Sequence, residues 1–429
     1  MILNNKGMAI SGILYSILVL FLVLIFGVLS VLASTKYSFD KFRKDIIAKL
    51  SQEEDIEYEE PKEDYKEELL NGTDPVLKNG MIPVKINNDG TVIRASLTEP
   101  WYNYENKMWA NMVLVEDSVR DEYQNYTGDE VLDKSKILAY FVWIPRYKYK
   151  IPTGGTKTPS TIDIVFENNE TTKSTGDAIN DYYTHPAFTF GTKELNGIWV
   201  GKFQVSGNEA APRIIPNISA FRSQTASSQF QSAQIFGNYT SDSDSHMLKN
   251  IDWGAAAYLS HSIYGINGEI RLNNNEDYIT GCGAIGENAS KSSTCDIKYG
   301  EASAYPQSTT GNITGIFDMS GAALERIMGI YNNQLGDSGF SSLPDSKYYD
   351  NYTNKNFSSI NKGDATYETA KWYDDVYSGF MLYTWLVRGA NNESVRNTGA
   401  FGVGQDLING GVASTVTMSN ASYRVVITE

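Results

Sequence analysis

The chain has 429 residues, of which 41% are hydrophobic, 12% aromatic and 20% charged. A chain of this length can bury a large core, and this composition excludes a fully disordered chain, a collagen and a coiled-coil rod. The formal net charge is −15; nucleic-acid binders are usually basic, so we expect no nucleic-acid partner. With only two cysteines and three histidines, the chain cannot build a multi-cysteine zinc cluster.

An uncharged, apolar stretch lies near the start of the sequence. No charged residue occurs between Lys6 and Lys36, and the segment from Ile10 to Leu32 is almost wholly apolar. About 20 apolar residues cross a bilayer, whereas a cleavable signal peptide has an apolar region of only about 7–15 residues, so we predict a retained transmembrane helix. Apolar residues then recur every three or four positions, which predicts that the helix continues with one apolar face; they are Phe39, Phe42, Ile46 and Leu50.

Two opposing patterns bear on the orientation of this helix. The basic residues at 36–49 would keep the large domain in the cytoplasm under the positive-inside rule. The motif Lys-Gly-Met at 6–8, followed by an apolar helix, resembles the leader of type IV prepilins, although Gly12 stands where that family usually has glutamate. The resemblance implies a short leader at 1–7, a helix at 8–50, an extracellular large domain and pilin-like subunits as partners.

A dense acidic block follows the helix. Residues 52–68 contain ten acidic residues and two lysines, a net charge of −8, and such a block repels itself and stays extended. We interpret residues 51–80 as a linker and residues 81–429 as one head domain. The head alternates short β-branched or aromatic runs with turn-forming residues and has two helix-like stretches, 252–264 and 320–328. This pattern predicts an α+β fold with much irregular loop.

Several motifs of the head follow one another in the order found in a known family. They are YFVWI at 140–144, IWVGKFQV at 198–205, WGAAAY at 253–258, EIRL at 269–272, NITGIFDMSG at 312–321, WLVRG at 385–389 and SYRVVI at 422–427. This order resembles the formylglycine-generating-enzyme (sulfatase-modifying) superfamily, from about residue 138 onward. The resemblance implies a large variant of the C-type lectin-like fold.

The chain departs from that family where its enzymes carry out their chemistry. Those enzymes use a cysteine pair in the carboxy-terminal segment, where a thiolate acts as nucleophile or copper ligand. Residues 388–429 contain no cysteine, so we predict that this protein is not an enzyme of that kind. An enzyme of the same superfamily with non-thiol chemistry remains an alternative, which would need a pair of titratable residues in a cleft.

A calcium site is a further implication of the resemblance. The family has a Gly-Asn-x-Trp-Glu-Trp pattern that contributes to calcium binding, and residues 321–326 of this chain read Gly-Ala-Ala-Leu-Glu-Arg. Asp318 and Glu325 remain as candidate oxygen ligands, although calcium takes several. In the alternative interpretation, Asp318 caps a turn and Glu325 pairs with Arg326 or Arg388.

The two cysteines are candidates for a disulfide. Cys282 and Cys295 lie 13 positions apart in a segment rich in glycine, serine and asparagine. A disulfide across a loop of this size stabilises by about 3 kcal/mol in the chain-entropy model. It forms only in an oxidising compartment, which favours an extracellular head. Two free thiols are the alternative.

Polar residues follow the WLVRG motif, in the region that forms the exposed binding face of lectin-like folds. Amide and guanidinium groups suit sugar hydroxyls and peptide carbonyls, although a plain solvated loop is the alternative. The candidate ligand-binding residues are Asn391, Asn392, Ser394, Arg396, Asn397 and Asn420. We predict a bacterial membrane-anchored surface protein, an adhesin or a pilus-associated minor subunit, that recognises a glycan or a protein. A purely structural pilin-like subunit is the alternative.

Overall fold

The fold is that of a computed structural model, which describes residues 71–283, 292–380, 384–389, 399–405 and 420–429. Within these residues the strands are β1 (Ile82–Ile86), β2 (Val92–Arg94), β3 (Asn111–Val115), β4 (Ile137–Pro145), β5 (Tyr147–Lys150), β6 (Asp163–Phe166), β7 (Tyr183–Thr184), β8 (Thr189–Phe190), β9 (Lys193–Glu194), β10 (Gly197–Gly201), β11 (Ser206–Asn208), β12 (Ala211–Arg213), β13 (Asp244–Met247), β14 (Cys282–Gly283), β15 (Ile297–Lys298), β16 (Leu324–Tyr331), β17 (Asp350–Tyr352), β18 (Trp385–Arg388), β19 (Val403–Gln405), β20 (Ala421–Tyr423) and β21 (Val425–Thr428). The α-helices are α1 (Asp117–Gln124), α2 (Ala226–Gln234) and α3 (Asn250–Ser260).

The largest sheet has seven antiparallel strands in the order β13-β21-β10-β4-β3-β1-β2. Its central strands β3, β4, β10 and β21 are buried at every position. Continuous apolar runs of this length are typical of strands covered on both faces. Trp143 and Trp199 are cross-strand partners in this sheet, with ring centroids 5.2 Å apart.

A second sheet carries the elements nearest to the candidate ligand-binding region. Its order is β17-β16-β18-β19, with β20 also paired to β16. The β16 strand runs parallel to β17 and β20 and antiparallel to β18, so that Glu325 lies opposite Arg388. Gly389 ends the WLVRG motif directly after β18, and β19 returns beside it.

Helix α3 is buried along almost its whole length. The backbone N–H of Lys249 donates to the Asp252 carboxylate at 2.9 Å, which satisfies one donor at the start of the helix. A Cβ at position 254 would collide with the carbonyl oxygen of Gly363, so only glycine permits the 363–368 loop to approach this closely. The helix ends at Ser260, and the next residue, His261, faces a cleft.

The predicted α+β fold class is wrong. The described residues form mostly β-structure with long irregular segments, and the three α-helices among them have only 8, 9 and 11 residues. The stretch 252–264 does contain helix α3, but residues 320–328 end in strand β16 instead of a helix. Pairing of β16 with three neighbouring strands outweighs the helix propensity of its alanine, leucine and glutamate residues.

The structure does not show the predicted transmembrane helix. No helix in the described part of the chain is long and apolar enough to cross a membrane. The leader at 1–7, the helix at 8–50 and the acidic block all lie outside the described residues.

Candidate functional site: a carboxylate cleft

A small cleft opens beside the carboxyl end of helix α3. Its cavity volume is about 10 Å³, which is room for about one water molecule. We call it the carboxylate cleft, and its lining residues are Ala257, Ser260, His261, Gly268, Glu269, Ile270, Tyr373, Asp375, Gly399, Ala400 and Phe401. The helix supplies one wall, the irregular segments around 269 and 375 supply the carboxyl groups, and residues 399–401 close the site.

Asp375 is the most buried carboxyl group of the cleft, with only 3% of the residue exposed. Its Oδ2 accepts a hydrogen bond from the backbone N–H of Phe401 at 3.2 Å, and its Oδ1 has no partner among the described residues. Burial and the nearby charge of Glu269 together raise the pKa of Asp375 to about 7, against the hydrogen bond from Phe401 and the charge of Arg388, which both lower it. This side chain can therefore act as a hydrogen-bond donor or as an acceptor near neutral pH.

The backbone before Asp375 is held in an uncommon conformation. Tyr373 and Asp374 have φ values of 56° and 59°, in the left-handed region that ordinary residues rarely occupy. A Cβ at Gly399 would collide with the Asp375 carboxylate, so a glycine is required opposite it. Strained non-glycine residues often cluster at functional sites, and this turn places two of them next to Asp375.

Glu269 lies at the rim of the cleft. Its side chain is exposed to solvent, and partial burial of the carboxyl group raises its pKa. Neither Glu269 nor Asp375 forms a salt bridge with a lysine or an arginine among the described residues. The cleft therefore carries negative charge when both groups are ionised.

A histidine and a tyrosine form the polar wall opposite the carboxyl groups. The Nε2 of His261 and the hydroxyl of Tyr373 are 2.7 Å apart, and the imidazole packs edge-on against Phe401 with ring centroids 5.5 Å apart. Burial lowers the pKa of His261, so we expect a neutral imidazole at neutral pH. The wall is therefore aromatic and uncharged.

The buried carboxyl group of Glu368 provides a contrast within the same fold. Burial also raises its pKa to about 7. Its oxygens, however, accept hydrogen bonds from the hydroxyls of Tyr149 and Tyr258 and from the backbone N–H of Gly363, at 2.7–2.9 Å. This satisfied network stabilises the core, whereas the buried Oδ1 of Asp375 has no partner among the described residues.

No protein-family model matches the chain, and no curated protein matches it. The resemblance to the formylglycine-generating-enzyme superfamily therefore stays a prediction.

The predicted ligand-binding residues are only partly placed. Five of them, Asn391, Asn392, Ser394, Arg396 and Asn397, lie outside the described residues. The next described residue after them, Gly399, lines the carboxylate cleft. Asn420 precedes β20, where its backbone oxygen accepts from the N–H of Leu324 at 2.9 Å, and it does not line the cleft.

Asp318 and Glu325 lie in a buried hydrogen-bond network. Asp318 accepts from the Asn273 amide at 2.8 Å and from the backbone N–H of Gly281 at 3.0 Å, and burial raises its pKa to about 6. Both oxygens of Glu325 accept from the guanidinium of Arg424. Glu325 thus pairs with Arg424, and the expected pairing with Arg326 or Arg388 is wrong.

The calcium prediction receives no support from this network. No group of three or more histidine, cysteine or carboxylate side chains could hold a metal ion among the described residues. Calcium coordination by Glu325 would need oxygens that Arg424 already occupies.

The predicted disulfide is confirmed. Cys282 and Cys295 are joined, with their Cα atoms 5.4 Å apart. Cys282 belongs to β14, whose pairing with β15 brings the chain back to the second cysteine.

The sequence analysis missed the two acids of the cleft. Glu269 was noted only as part of the EIRL motif, and Asp375 follows an aromatic stretch with no recognisable spacing to it. The only signal near Asp375 is the sequence Trp-Tyr-Asp-Asp at 372–375, which combines aromatic and acidic residues. The two acids are far apart in the sequence, so only the tertiary fold brings them together.

Proposed function

We propose that this chain is a recognition protein of an oxidising, extracellular compartment, which binds a glycan or protein ligand at the carboxylate cleft. The observation that carries the proposal is Asp375, a lining residue of the cleft whose buried Oδ1 has no hydrogen-bond partner among the described residues. A buried polar atom without a partner is rare in native proteins, and a ligand donor would satisfy it.

The location outside the cell rests on the Cys282–Cys295 disulfide. Disulfides persist in oxidising compartments and are rare in the cytosol. Pilin-like subunits remain proposed partners, on the strength of the leader motif at 6–8 alone.

The polar segment that contains residues 391–397 is proposed as the second part of the binding face. It immediately precedes Gly399 in the sequence, and Gly399 and Ala400 line the cleft. Its asparagine, serine and arginine side chains offer both donors and acceptors to sugar hydroxyls or peptide carbonyls. A ligand that contacts both parts would combine one buried polar contact with several adaptable ones.

Glycan and peptide arrays probed with the full-length chain test the proposal. We expect a restricted set of ligands, with binding weakened at least tenfold by Asp375→Asn and by the double change Asn391→Ala, Asn392→Ala. Asp121→Asn is the matched control, because Asp121 is an exposed acid of α1 that does not line the cleft. A ligand set that Asp375→Asn leaves unchanged would place recognition elsewhere.

A second candidate function is acid–base catalysis at the same cleft. Burial gives Asp375 a pKa of about 7, next to the charge of a second carboxyl group, Glu269. Glycoside hydrolysis uses two carboxyl groups, one of which donates a proton near neutral pH. Release of reducing ends from oligosaccharides, with a bell-shaped pH profile that Asp375→Asn abolishes, would establish this activity. Binding without turnover would leave recognition as the function.

A further inference from the structure

We infer that a pocket beside strand β4 binds the pyranose ring of an uncharged sugar, with the hydroxyl of Tyr140 as the hydrogen-bonding group in its wall. We call it the tyrosine pocket, because Tyr140 and Tyr299 both line it. It shares no lining residue with the carboxylate cleft, so the inference goes beyond the proposed function and can fail without it.

The pocket is assembled from segments that are distant in the sequence. Tyr140 belongs to β4, Tyr299 follows β15, and Ile215 and Pro216 lie just after β12. The ring of Phe203 packs edge-on against both tyrosine rings, with centroids 6.1 Å from Tyr140 and 5.0 Å from Tyr299. The core therefore holds both tyrosines in place before a ligand arrives, which lowers the entropy cost of binding.

The first argument is the hydroxyl of Tyr140. The residue is only 3% exposed, and its hydroxyl has no hydrogen-bond partner among the described residues. The hydroxyl of Tyr299 also lacks such a partner but is sealed from solvent, whereas that of Tyr140 keeps accessible surface. Burial raises the pKa of Tyr140, so its hydroxyl stays protonated and can both donate and accept. A ligand hydroxyl would satisfy a group that native proteins rarely leave without a partner.

The second argument is the size and the wall of the pocket. Its volume is about 220 Å³. A cavity of about 150 Å³ holds a benzene molecule, so the tyrosine pocket has room for a six-membered ring with polar substituents. Ile215, Pro216 and Tyr299 are each partly exposed and line it. They offer apolar surface to the C–H face of a sugar ring.

The third argument is the rim. Asn217 contributes an amide, Asp89 a carboxylate and Lys134 an ammonium group, and all three residues are exposed. Together they offer donors and acceptors without a net charge, which suits the hydroxyls of a neutral sugar better than a charged ligand. A phenylalanine or proline side chain of a protein would fill the volume but would leave the Tyr140 hydroxyl without a partner.

Ligand-observed NMR titration of the full-length chain tests the inference. The probes are the methyl pyranosides of glucose, galactose and mannose. Cyclohexanol is the matched ring with a single hydroxyl, and 4-methylphenol represents the tyrosine side chain of a protein ligand. We expect at least one pyranoside to bind at least tenfold more tightly than either. Tighter binding of 4-methylphenol than of every pyranoside would show a protein ligand and would overturn the inference.

Two variants identify the pocket as the site of binding. Tyr140→Phe should weaken binding of the preferred pyranoside about fivefold, the loss of one neutral hydrogen bond. Asn217→Ala, at the exposed rim, should weaken it severalfold. Tyr126→Phe is the matched control and should change nothing, because Tyr126 lies just after α1 and does not line the pocket.

The stability of Tyr140→Phe separates a binding effect from misfolding. Because the hydroxyl has no partner in the fold, its removal should leave the free energy of unfolding unchanged when no sugar is present. If no pyranoside binds more tightly than cyclohexanol, or if Tyr140→Phe binds the preferred pyranoside as tightly as the wild type, the inference is wrong. Neither result bears on the carboxylate cleft, whose proposed role depends on Asp375.

Discussion

The sharpest stability prediction concerns Arg424, which joins the two sheets. Its guanidinium donates to both oxygens of Glu325, at 2.9 and 2.5 Å, and to the backbone oxygens of Gly201 and Phe317, at 2.7 and 2.9 Å. Arg424 is 1% exposed and Glu325 is fully buried. The change Arg424→Met keeps much of the side-chain volume and removes all four donated hydrogen bonds.

The expected loss of stability follows from the Glu325 carboxylate, which the change leaves without its arginine. Glu325 would keep one hydrogen bond, from the Gln204 amide at 3.2 Å, and would otherwise be an unpaired buried charge. Removing one partner of a buried ion pair costs about 3–5 kcal/mol. We expect Arg424→Met to lower the free energy of unfolding by about 4 kcal/mol. The double change Arg424→Met, Glu325→Met should recover about 2 kcal/mol, because no charge is then left unpaired.

Urea unfolding of the full-length chain, followed by tryptophan fluorescence, measures both variants. If Arg424→Met costs less than about 1 kcal/mol, or if the double variant is no more stable than the single one, the account of this ion pair is wrong. The same series tests calcium. We expect neither calcium nor a chelator to move the unfolding midpoint, and a calcium-dependent shift that Glu325→Gln removes would restore the metal site.

Three further predictions follow from named contacts. Replacing Cys282 and Cys295 by serine should lower the free energy of unfolding by about 3 kcal/mol, measured by urea unfolding. An unchanged midpoint would mean that the disulfide adds little to stability. Gly254→Ala should lower the free energy of unfolding by about 1–3 kcal/mol, because the added Cβ collides with Gly363. An unchanged free energy of unfolding would show that the 363–368 loop moves away without cost. Burial raises the pKa of Asp375 to about 7, so its contribution to stability is fully present below about pH 4 and is lost as the pH rises through 7. The stability of Asp375→Asn relative to the wild type should therefore increase from pH 5 to pH 8, by about 2.7 kcal/mol, and a constant difference would contradict the shifted pKa.

The strands of the large sheet were predictable from the sequence because they depend on local composition. The run at 138–144 lies within β4, and residues 112–115 lie within β3. Runs of β-branched and aromatic residues between turns carry this signal without tertiary information. Helix α3 was predictable for a similar reason, since its alanines favour helix and Asp252 lies in its first turn.

The predictions that were wrong concern residues whose structure depends on contacts with distant parts of the chain. Residues 324–331 contain good helix formers, but three strands from elsewhere in the sequence pair with them. The alternative interpretation paired Glu325 with Arg326 or Arg388, whereas its partner in the structure is Arg424, from the carboxy-terminal segment. The carboxylate cleft has the same origin, because no spacing rule connects Glu269 with Asp375.

The position of β21 in the large sheet has a consequence for biosynthesis. This strand, Val425–Thr428, lies between β13 and β10 and pairs with both. The ribosome must therefore release the residues up to Thr428 before the sheet can close, and strands β10 and β13 have unpaired edges until then. Long-range pairing of this kind folds slowly and exposes intermediates to aggregation. We expect chains truncated before residue 425 to be captured by chaperones or degraded, even though nearly all of the other described elements have been synthesised.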